Sequence, residues 1–367
     1  MPLIEMKIAI VLGTRPEIIK MSPVVRELER RNEEYLIVHT GQHYSHNMDA
    51  VFFEQLRLPP PKINLNVGSG THGEETGKMI IGIERALQEQ RPDIVLVEGD
   101  TNSVLSGALA ASKLHIGVGH VEAGLRSFDR TMPEEINRVL TDHISNYLFA
   151  PTDVAKENLM REGIKEESIF VTGNTIVDAV HQNLELATSV DVGSTYQVAD
   201  GEYFLLTLHR QENVDDPERL RQIFEGLHLL ASRFDKGIIF PMHPRTRERM
   251  KQDKIRVRDE RIKIIEPLDY LTFLKLESRA GLVLTDSGGV QEEACILGVP
   301  CVTLRYNTER PETVEVGANI VAGTEPGEIV RCAEEMLQRS RDWKNPFGDG
   351  HAATRIASIL EQHPPRA

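Results

Sequence analysis

The sequence predicts an α/β fold of two doubly wound domains that face each other across a cleft. Short apolar segments, each about as long as one strand, alternate with helical segments along the chain, which is typical of parallel sheets. The 367 residues exceed the size at which a single core usually stops growing, and 40% of them are hydrophobic. In such folds the loops at the carboxyl ends of the strands bind the ligand.

The first half of the chain repeats the alternation several times. Each predicted strand is a short apolar run, and several predicted helices open with Thr, Ser, Pro or Asp, which are typical helix-start residues. The predicted strands are 7–12, 35–40, 93–97, 116–121, 147–150 and 169–172. The predicted helices are 16–31, 71–90, 103–114, 133–146 and 153–163.

A second series of strands and helices follows the polar stretch 188–200, which we interpret as a connection between domains. Its predicted strands are 203–208, 237–241, 262–265, 281–285 and 301–304, and helices near 328–339 and 349–362 finish the chain. We place an N-terminal domain at 1–174, with a second domain at 175–347.

Composition excludes several classes of function. The formal net charge of −14 and the pI near 5.5 argue against binding of duplex DNA or an anionic membrane through a basic face. The three cysteines, Cys295, Cys301 and Cys332, are odd in number and lack metal-ligand spacing, which favours a reducing compartment. No segment approaches the roughly 18 apolar residues of a membrane span, and the N-terminus lacks a signal-peptide pattern. We expect a cytoplasmic protein without metal or cofactor.

A candidate anion site follows the first predicted strand, at Gly13-Thr14-Arg15-Pro16-Glu17. Pro16 suits the first turn of a helix, so Arg15 lies beside a helix N-terminus, where backbone N–H groups favour a phosphate. The alternative is an arginine that pairs with a nearby carboxylate. Lys20 lies five residues further on and can add a second positive charge.

Carboxylates follow two further strands and open one helix. Asp100 and Glu122 come after predicted strands, and Glu134 lies in the first turn of a predicted helix. Singly, each has a structural explanation, because Asp100 suits a helix N-cap and Glu134 favours the helix dipole. Together, acids that converge on a cleft supply what proton transfer to and from a sugar carbon requires.

The second half carries its own candidate ligand contacts. His209 follows a strand and is interpreted as an anion contact, whereas His243 is left undecided. In Thr285-Asp286-Ser287-Gly288-Gly289 a strand runs into paired glycines and then a helix, so backbone amides can approach a diphosphate closely. Glu293 lies one turn into that helix, where it can accept hydrogen bonds from a ribose.

Two further positions have weaker signals. Phe273 more often indicates helix packing than base stacking, and Arg310 either pairs locally or reaches the ligand.

Taken in order, these motifs resemble those of one family, the non-hydrolysing UDP-N-acetylglucosamine 2-epimerases. The resemblance covers nearly the whole chain and rests on many ordered motifs, which makes chance agreement implausible. These are GTRPEIIK, EGDTNS, GHVEAGLRS, PEEINR, VTGNTIVDA, LHRQEN, TDSGGVQEE, TERPE and NPFGDGHA.

The resemblance implies a fold, an assembly and a reaction. The fold is the glycosyltransferase-B type, with two Rossmann-like domains and a C-terminal segment, here 348–367, that crosses back to the first domain. The family is usually dimeric and cytoplasmic, and is associated with polysaccharide biosynthesis. The reaction interconverts UDP-N-acetylglucosamine and UDP-N-acetylmannosamine at C2, by elimination of UDP to 2-acetamidoglucal and re-addition.

The resemblance also implies roles for individual residues. Diphosphate and ribose contacts fall on Ser287, Gly288, Gly289 and Glu293, and Phe273 lies near the uracil. UDP contacts fall on Arg15, His209 and Arg310. The sugar pocket and the catalytic groups fall on Lys20, Asp100, Glu122 and Glu134, with His209 as a further catalytic candidate.

Some members of the family are activated by a second UDP-N-acetylglucosamine molecule. Many bacterial members carry an arginine directly after a Gln-His pair near the second strand, whereas this chain has Tyr44 there, within Gly41-Gln42-His43-Tyr44-Ser45.

Three other functions compete with non-hydrolysing epimerisation. They are a UDP-sugar glycosyltransferase of the same fold, a hydrolysing 2-epimerase that releases N-acetylmannosamine, and a nucleotide-sugar-binding regulator without turnover. The candidate acids count against the regulator, and the ordered motifs count against the transferase.

Overall fold

The computed structural model describes residues 6–41 and 46–364, which form two compact units. Unit 1 contains the chain up to Gln182 together with the segment from Phe347 onward. Unit 2 runs from Asn183 to Pro346.

The sheet of unit 1 is parallel throughout, and its strands lie in the order β3-β2-β1-β4-β5-β6-β7. The strands among the described residues are β1 (Lys7–Leu12), β2 (Glu34–His39), β3 (Ile63–Asn64), β4 (Ile94–Glu98), β5 (Gly117–Val121), β6 (Tyr147–Ala150) and β7 (Ile169–Val171). The order reverses between β1 and β4, and the crevice at such a switch point is where open α/β sheets bind ligands.

Helices connect these strands. They are α1 (Arg15–Arg31), α2 (His46–Gln55), α3 (His72–Gln90), α4 (Asn102–Lys113), α5 (Pro133–Ile144), α6 (Asp153–Arg161) and α7 (Thr175–Leu186), with a 3₁₀ turn at Glu166–Ser168. Local sequence explains several helix starts. Pro16 and Pro133 lie in the first turns of α1 and α5, and Thr71 and Glu74 form a reciprocal capping box at α3.

The central strands of unit 1 are buried on both faces. Ile8, Ile10, Ala9 and Val11 alternate between the two faces of β1, and all four are fully buried. Burial on both faces explains why these strands are continuous apolar runs in the sequence.

Unit 2 repeats the architecture with a parallel sheet in the order β10-β9-β8-β11-β12-β13. Its strands are β8 (Tyr203–Thr207), β9 (Gly237–Pro241), β10 (Ile262–Ile265), β11 (Leu282–Thr285), β12 (Cys301–Thr303) and β13 (Asn319–Val321). Its helices are α8 (Val192–Tyr196), α9 (Gln211–Val214), α10 (Pro217–Phe234), α11 (Pro244–Gln252), α12 (Tyr270–Arg279), α13 (Gly288–Leu297), α14 (Pro311–Glu315) and α15 (Pro326–Gln338). Both units are doubly wound α/β units of the Rossmann type, which confirms the predicted fold class.

The last helix, α16 (Ala352–Gln362), belongs to unit 1. The Asp178 carboxylate accepts hydrogen bonds from the backbone N–H groups of Ala352 (3.2 Å) and Ala353 (3.0 Å), and so holds the helix N-terminus. Ile356 and Leu360 are fully buried on the inner face of α16. None of the described helices combines the length and apolar character needed to cross a membrane.

The observed division of the chain differs from the predicted one in two places. Contacts divide the chain after Gln182, whereas the predicted boundary lay at 174/175, because α7 begins within unit 1 and runs across the division. The stretch 188–200 is not a connection between the units. It lies within unit 2 and contains α8, whose Val192 is buried against the unit 2 core.

Candidate active site

The loop after β1 is built around a buried carboxyl group. Glu17 accepts hydrogen bonds from the backbone N–H of Gly13 (2.6 Å) and from the hydroxyls of Thr14 (3.0 Å) and Thr101 (2.6 Å). Burial raises the pKa of Glu17 to about 7, although these hydrogen bonds oppose the shift. A side chain at Gly13 would clash with Ser103, so the loop approaches α4 closely. Arg15 begins α1 from this loop and is exposed.

A cluster of acids around Lys20 lies at the carboxyl edge of the unit 1 sheet. The Lys20 ammonium forms an ion pair with Glu122 Oε2 and lies 3.2 Å from Glu98 Oε1. Glu98 is the last residue of β4, Glu122 directly follows β5, and both side chains are buried. Asn174 Nδ2 donates to the second oxygen of Glu122 (3.4 Å). The structure therefore brings together two of the predicted site residues, Lys20 and Glu122, and adds Glu98.

The backbone of Glu122 is unusual. Its φ of 71° places a non-glycine residue in the left-handed region, which is disfavoured by about 1 kcal/mol or more. The backbone N–H groups of Glu122 and Ala123 both donate to Phe149 O on β6, which holds this conformation. Strain of this kind tends to occur where a side chain must be aimed at a functional site.

A buried ion network joins the loops that carry the acids. His120 donates from Nδ1 to Asp142 Oδ1 (2.6 Å) and from Nε2 to Gly99 O (2.8 Å). The other Asp142 oxygen accepts from the N–H of Gly124 (3.2 Å) and from Arg126 (2.7 Å). Burial alone would raise the pKa of Asp142, but His120 and Arg126 bring it below its ordinary value. This network fixes the loop after β4 relative to the loop after β5.

Asp100 and Glu134 have other surroundings. Asp100 is half-buried, and its Oδ2 accepts from Nη2 (2.6 Å) and Nε (3.0 Å) of Arg138. Glu134 is exposed, whereas its neighbour Glu135 is buried and binds Arg138 (2.7 Å) and the loop at Ser127 (2.9 Å). Asp100 is therefore paired with an arginine, outside the ion pairs of Lys20, and Glu134 faces solvent.

In unit 2, Asp286 organises the loop after β8. Its carboxylate accepts from the backbone N–H groups of His209 (3.0 Å) and Arg210 (2.9 Å), and His209 Nδ1 lies 3.4 Å from it. The His209 side chain is 42% exposed, and its ring centre is 6.0 Å from that of His243. Partial desolvation lowers the pKa of His209, while the Asp286 carboxylate opposes the shift. The role of His243 was left undecided from the sequence, and in the structure its ring lies beside that of His209.

The N-terminus of α13 has the open geometry that the glycines predicted. Ser287 is the N-cap residue, and its side chain makes no capping hydrogen bond. A Cβ at Gly289 would meet nothing within 4 Å, whereas a Cβ at Gly288 would lie 4.0 Å from Arg310 Cγ. Arg310 Nε lies 2.7 Å from Oε1 of Glu292, which is a residue of α13. Ser287, Gly288, Gly289 and Arg310 thus lie together.

Glu293 lies one turn further along α13 and is buried. Its Oε1 accepts from the Tyr270 hydroxyl (3.0 Å). Glu277 is completely buried, and burial together with the neighbouring Glu293 raises its pKa well above the ordinary value, which favours the neutral carboxyl form. Phe273 is half-buried and packs against the unit 2 core.

A family model described as UDP-N-acetylglucosamine 2-epimerase matches residues 26–361 of this sequence. The chain belongs to the UDP-N-acetylglucosamine 2-epimerase family. This confirms the resemblance that the ordered motifs indicated.

Individual relatives are similar to this chain over nearly their full length. The UDP-N-acetylglucosamine 2-epimerase of Methanocaldococcus jannaschii is 62% identical over 362 residues, which cover 97% of this chain and 99% of that protein. A crystal structure of the Methanocaldococcus jannaschii UDP-GlcNAc 2-epimerase in complex with UDP-GlcNAc and UDP has a TM-score of 0.87 at 61% identity, with 97% of this chain and 100% of that chain covered. The UDP-2,3-diacetamido-2,3-dideoxy-D-glucuronate 2-epimerase of Pseudomonas aeruginosa is 45% identical, with 97% and 99% covered.

Three buried acids of this epimerase-family chain, Glu98, Asp286 and Glu277, were given no role in the site predicted from the sequence. Glu98 is the last residue of the buried strand β4, and Asp286 directly follows the buried strand β11. A carboxylate at the end of an apolar run is the sequence signal that could have identified both. Glu277 lies in mid-helix and has no such signal. Residues 42–45, where the chain departs from the bacterial pattern for the allosteric site, lie outside the described residues.

Proposed function

We propose that this chain interconverts UDP-N-acetylglucosamine and UDP-N-acetylmannosamine at C2, through elimination and re-addition of UDP. The observation that carries the proposal is the buried Lys20–Glu122 ion pair at the switch point of unit 1, in a chain of the 2-epimerase family. A buried carboxylate beside one cation is suited to removing and returning a carbon-bound proton.

Elimination is required by the chemistry of the sugar. The C2 hydrogen of the hexose has no adjacent carbonyl in the ring, so simple deprotonation is very unfavourable. Loss of UDP from C1 together with the C2 proton leaves 2-acetamidoglucal. Re-addition of UDP, with protonation of C2 from the opposite face, then gives the epimer. In the proposal, Asp100, Glu122, Glu134 and His209 form the catalytic set, with Lys20 beside Glu122.

The leaving diphosphate needs stabilisation of its negative charge. In the proposal the first-turn N–H groups of α13, at Ser287, Gly288 and Gly289, bind the diphosphate, because a helix N-terminus favours an anion. Arg310 and Arg15 add positive charge, Glu293 accepts from the ribose, and Phe273 contacts the uracil. The exposed face of α13 at Gly289 supports this role, since nothing in the described residues occupies that space.

One experiment separates the proposal from its rivals. The protein is incubated with UDP-N-acetylglucosamine alone, and the sugar is followed by proton NMR. The non-hydrolysing reaction yields UDP-N-acetylmannosamine, and the hydrolysing reaction yields UDP and free N-acetylmannosamine. A glycosyltransferase without acceptor and a regulator both leave the substrate unchanged, which contradicts the proposal. Parallel incubation with UDP-2,3-diacetamido-2,3-dideoxy-D-glucuronate tests the substrate of the Pseudomonas relative.

We also propose that the protein is a cytoplasmic homodimer. Ile136 and Leu140 lie one turn apart on α5 and are 43% and 47% exposed, which leaves an apolar stripe for a second copy to cover. Cys295, Cys301 and Cys332 are free and buried, which agrees with a reducing compartment. Sedimentation as a single species of monomer mass would contradict the dimer.

A further inference from the structure

Glu98 faces the Lys20–Glu122 pair from the end of β4. Its side chain is 2% exposed, and its Oε1 lies 3.2 Å from Lys20 Nζ. β4 and β5 are paired so that Glu98 lies opposite Val121, the residue before Glu122, and the carboxyl groups of Glu98 and Glu122 both contact the Lys20 ammonium.

The charges around Glu98 do not balance if every acid is ionised. The charged and titratable groups that face it are Lys20 and Glu17 from α1 and Glu122 from the loop after β5. Glu98, Glu17 and Glu122 are all buried, and two of them, Glu98 and Glu122, contact the same Lys20 ammonium group. Burying uncompensated charge is costly, and a buried acid normally responds by keeping its proton.

The surroundings decide which acids stay protonated. Glu122 is held as the carboxylate by the direct Lys20 ion pair and by Asn174 Nδ2. Burial raises the pKa of Glu98 well above its ordinary value, and Glu122 and Glu17 add to the shift although Lys20 opposes it. Two carboxylates have only acceptor atoms, so a hydrogen bond between Glu98 and Glu122 requires one of the two groups to keep its proton.

We propose that Glu98 is a positioning residue for Glu122: it remains a neutral carboxyl, donates a hydrogen bond to the Glu122 carboxylate, and so keeps Lys20 and Glu122 paired one to one. The inference rests on the proposed function, in which Glu122 handles the C2 proton. Glu98 is then a third group beside the Lys20–Glu122 pair. Because Glu98 is uncharged, it can lie next to Lys20 without competing with Glu122 for the positive charge.

A consequence for pH dependence follows from the geometry. When Glu98 loses its proton, a second negative charge competes with Glu122 for the single Lys20 ammonium, and the hydrogen-bond donor to Glu122 is lost. Turnover therefore falls on the alkaline side with an apparent pKa that belongs to the Glu98–Glu122–Lys20 cluster as a whole.

Two variants of the full-length protein separate positioning from packing. Glu98→Gln keeps an N–H donor toward Glu122 and cannot ionise, whereas Glu98→Met keeps the side-chain bulk and has no donor. We expect kcat of Glu98→Met to fall by about tenfold or more with KM changed by less than about threefold, as loss of one hydrogen bond to a charged group predicts. Glu98→Gln should recover most of that loss and should no longer show the alkaline fall.

Two results would overturn the inference. One is a Glu98→Met variant as active as Glu98→Gln, and the other is an unchanged alkaline fall in Glu98→Gln. Thermal melting and UDP affinity establish that each variant is folded. If Glu98→Met fails to fold, the pH profile of Glu98→Gln decides alone.

A spectroscopic measurement does not depend on turnover. Infrared difference spectra of wild type minus Glu98→Gln at neutral pH should show the carbonyl band of a protonated carboxyl, and this band should vanish as the pH rises. Its absence at neutral pH would contradict a neutral Glu98. If the wild-type protein fails to epimerise UDP-N-acetylglucosamine, the proposed function fails while the infrared result still tests the protonation of Glu98.

Discussion

Single side chains at the carboxyl edges of the two sheets differ in how firmly their neighbours hold them. Glu122 is fixed by Lys20, Asn174 and a strained backbone, whereas Glu134 faces solvent. Asp100 lies between these cases, since Arg138 binds it from α5. Preorganisation is therefore concentrated at Glu122, which suits a group that must meet the substrate in one orientation.

Glu293 provides a test of the nucleotide site. Glu293→Ala should weaken binding of UDP by on the order of a few kcal/mol, because the hydrogen bonds between its carboxyl group and the ribose are lost while the helix remains. Isothermal calorimetry with UDP measures the effect, and Glu248→Ala on the exposed face of α11 is the matched control. Unchanged affinity in Glu293→Ala, with normal thermal melting, would make Glu293 a structural residue only.

Glu17 provides a test of buried-acid energetics through pH. Its folded-state pKa of about 7 lies above the ordinary 4.5, so its contribution to stability is complete below about pH 4.5 and is lost as the pH rises through about 7. Relative to Glu17→Gln, the wild type should lose up to roughly 3 kcal/mol of unfolding free energy between about pH 5 and pH 8. Denaturant titrations of both proteins at these pH values measure it. A difference that stays constant with pH would show that Glu17 is ionised throughout.

Site residues were predictable from the sequence where they lie next to strand ends, and their distant partners were not. Lys20 and Glu122 were predicted because they lie in ordered motifs next to strand ends. The Arg138 partner of Asp100 is 38 residues away along the chain, and such a pairing has no local signal. Glu98 and Asp100 are two residues apart, and only Glu98 pairs with Lys20. The local sequence gives no signal for which of the two acids does so.

At the scale of elements, strands buried on both faces were the most predictable. β1 was predicted at 7–12 and β9 at 237–241, and both are confirmed at those bounds, because continuous apolar runs between polar turns have few other interpretations. The two-residue β3 was not predicted because it is too short to show a pattern, and the three-residue β13 was not predicted either. The contact division after Gln182 has no signal in the sequence, because α7 runs across it without a break.

The N-terminus of α13 gives a prediction about an element. Gly289 is the second residue of α13, and Gly327 is the second residue of α15; a Cβ at either meets nothing within 4 Å. Leucine at either position should leave the fold intact, because leucine favours a helix more than glycine does. If first-turn amides of α13 bind the diphosphate, Gly289→Leu should reduce UDP affinity by about tenfold or more, a loss of about 1.4 kcal/mol.

Gly327→Leu is the control and should bind UDP as the wild type does. Calorimetry measures both affinities, and thermal melting checks both folds. Equal UDP affinity of the two variants would place the diphosphate elsewhere.

At the scale of the whole molecule, one strand order occurs twice. The order reverses between β1 and β4 in unit 1 and between β8 and β11 in unit 2. Predicted site residues follow these strands in both units, with Asp100 after β4, His209 after β8 and Ser287 after β11. The fold class was predictable because alternation and chain length report it directly. The cleft stays a prediction, and so does the use of groups from both units in one reaction.

Turnover in heavy water tests the central claim most directly. The proposed elimination removes the C2 hydrogen to a side chain that exchanges with solvent and returns a proton from the opposite face. Proton NMR of the recovered nucleotide sugars should therefore show solvent deuterium at C2 of both UDP-N-acetylglucosamine and UDP-N-acetylmannosamine. Retention of protium at C2 through many turnovers would contradict this account.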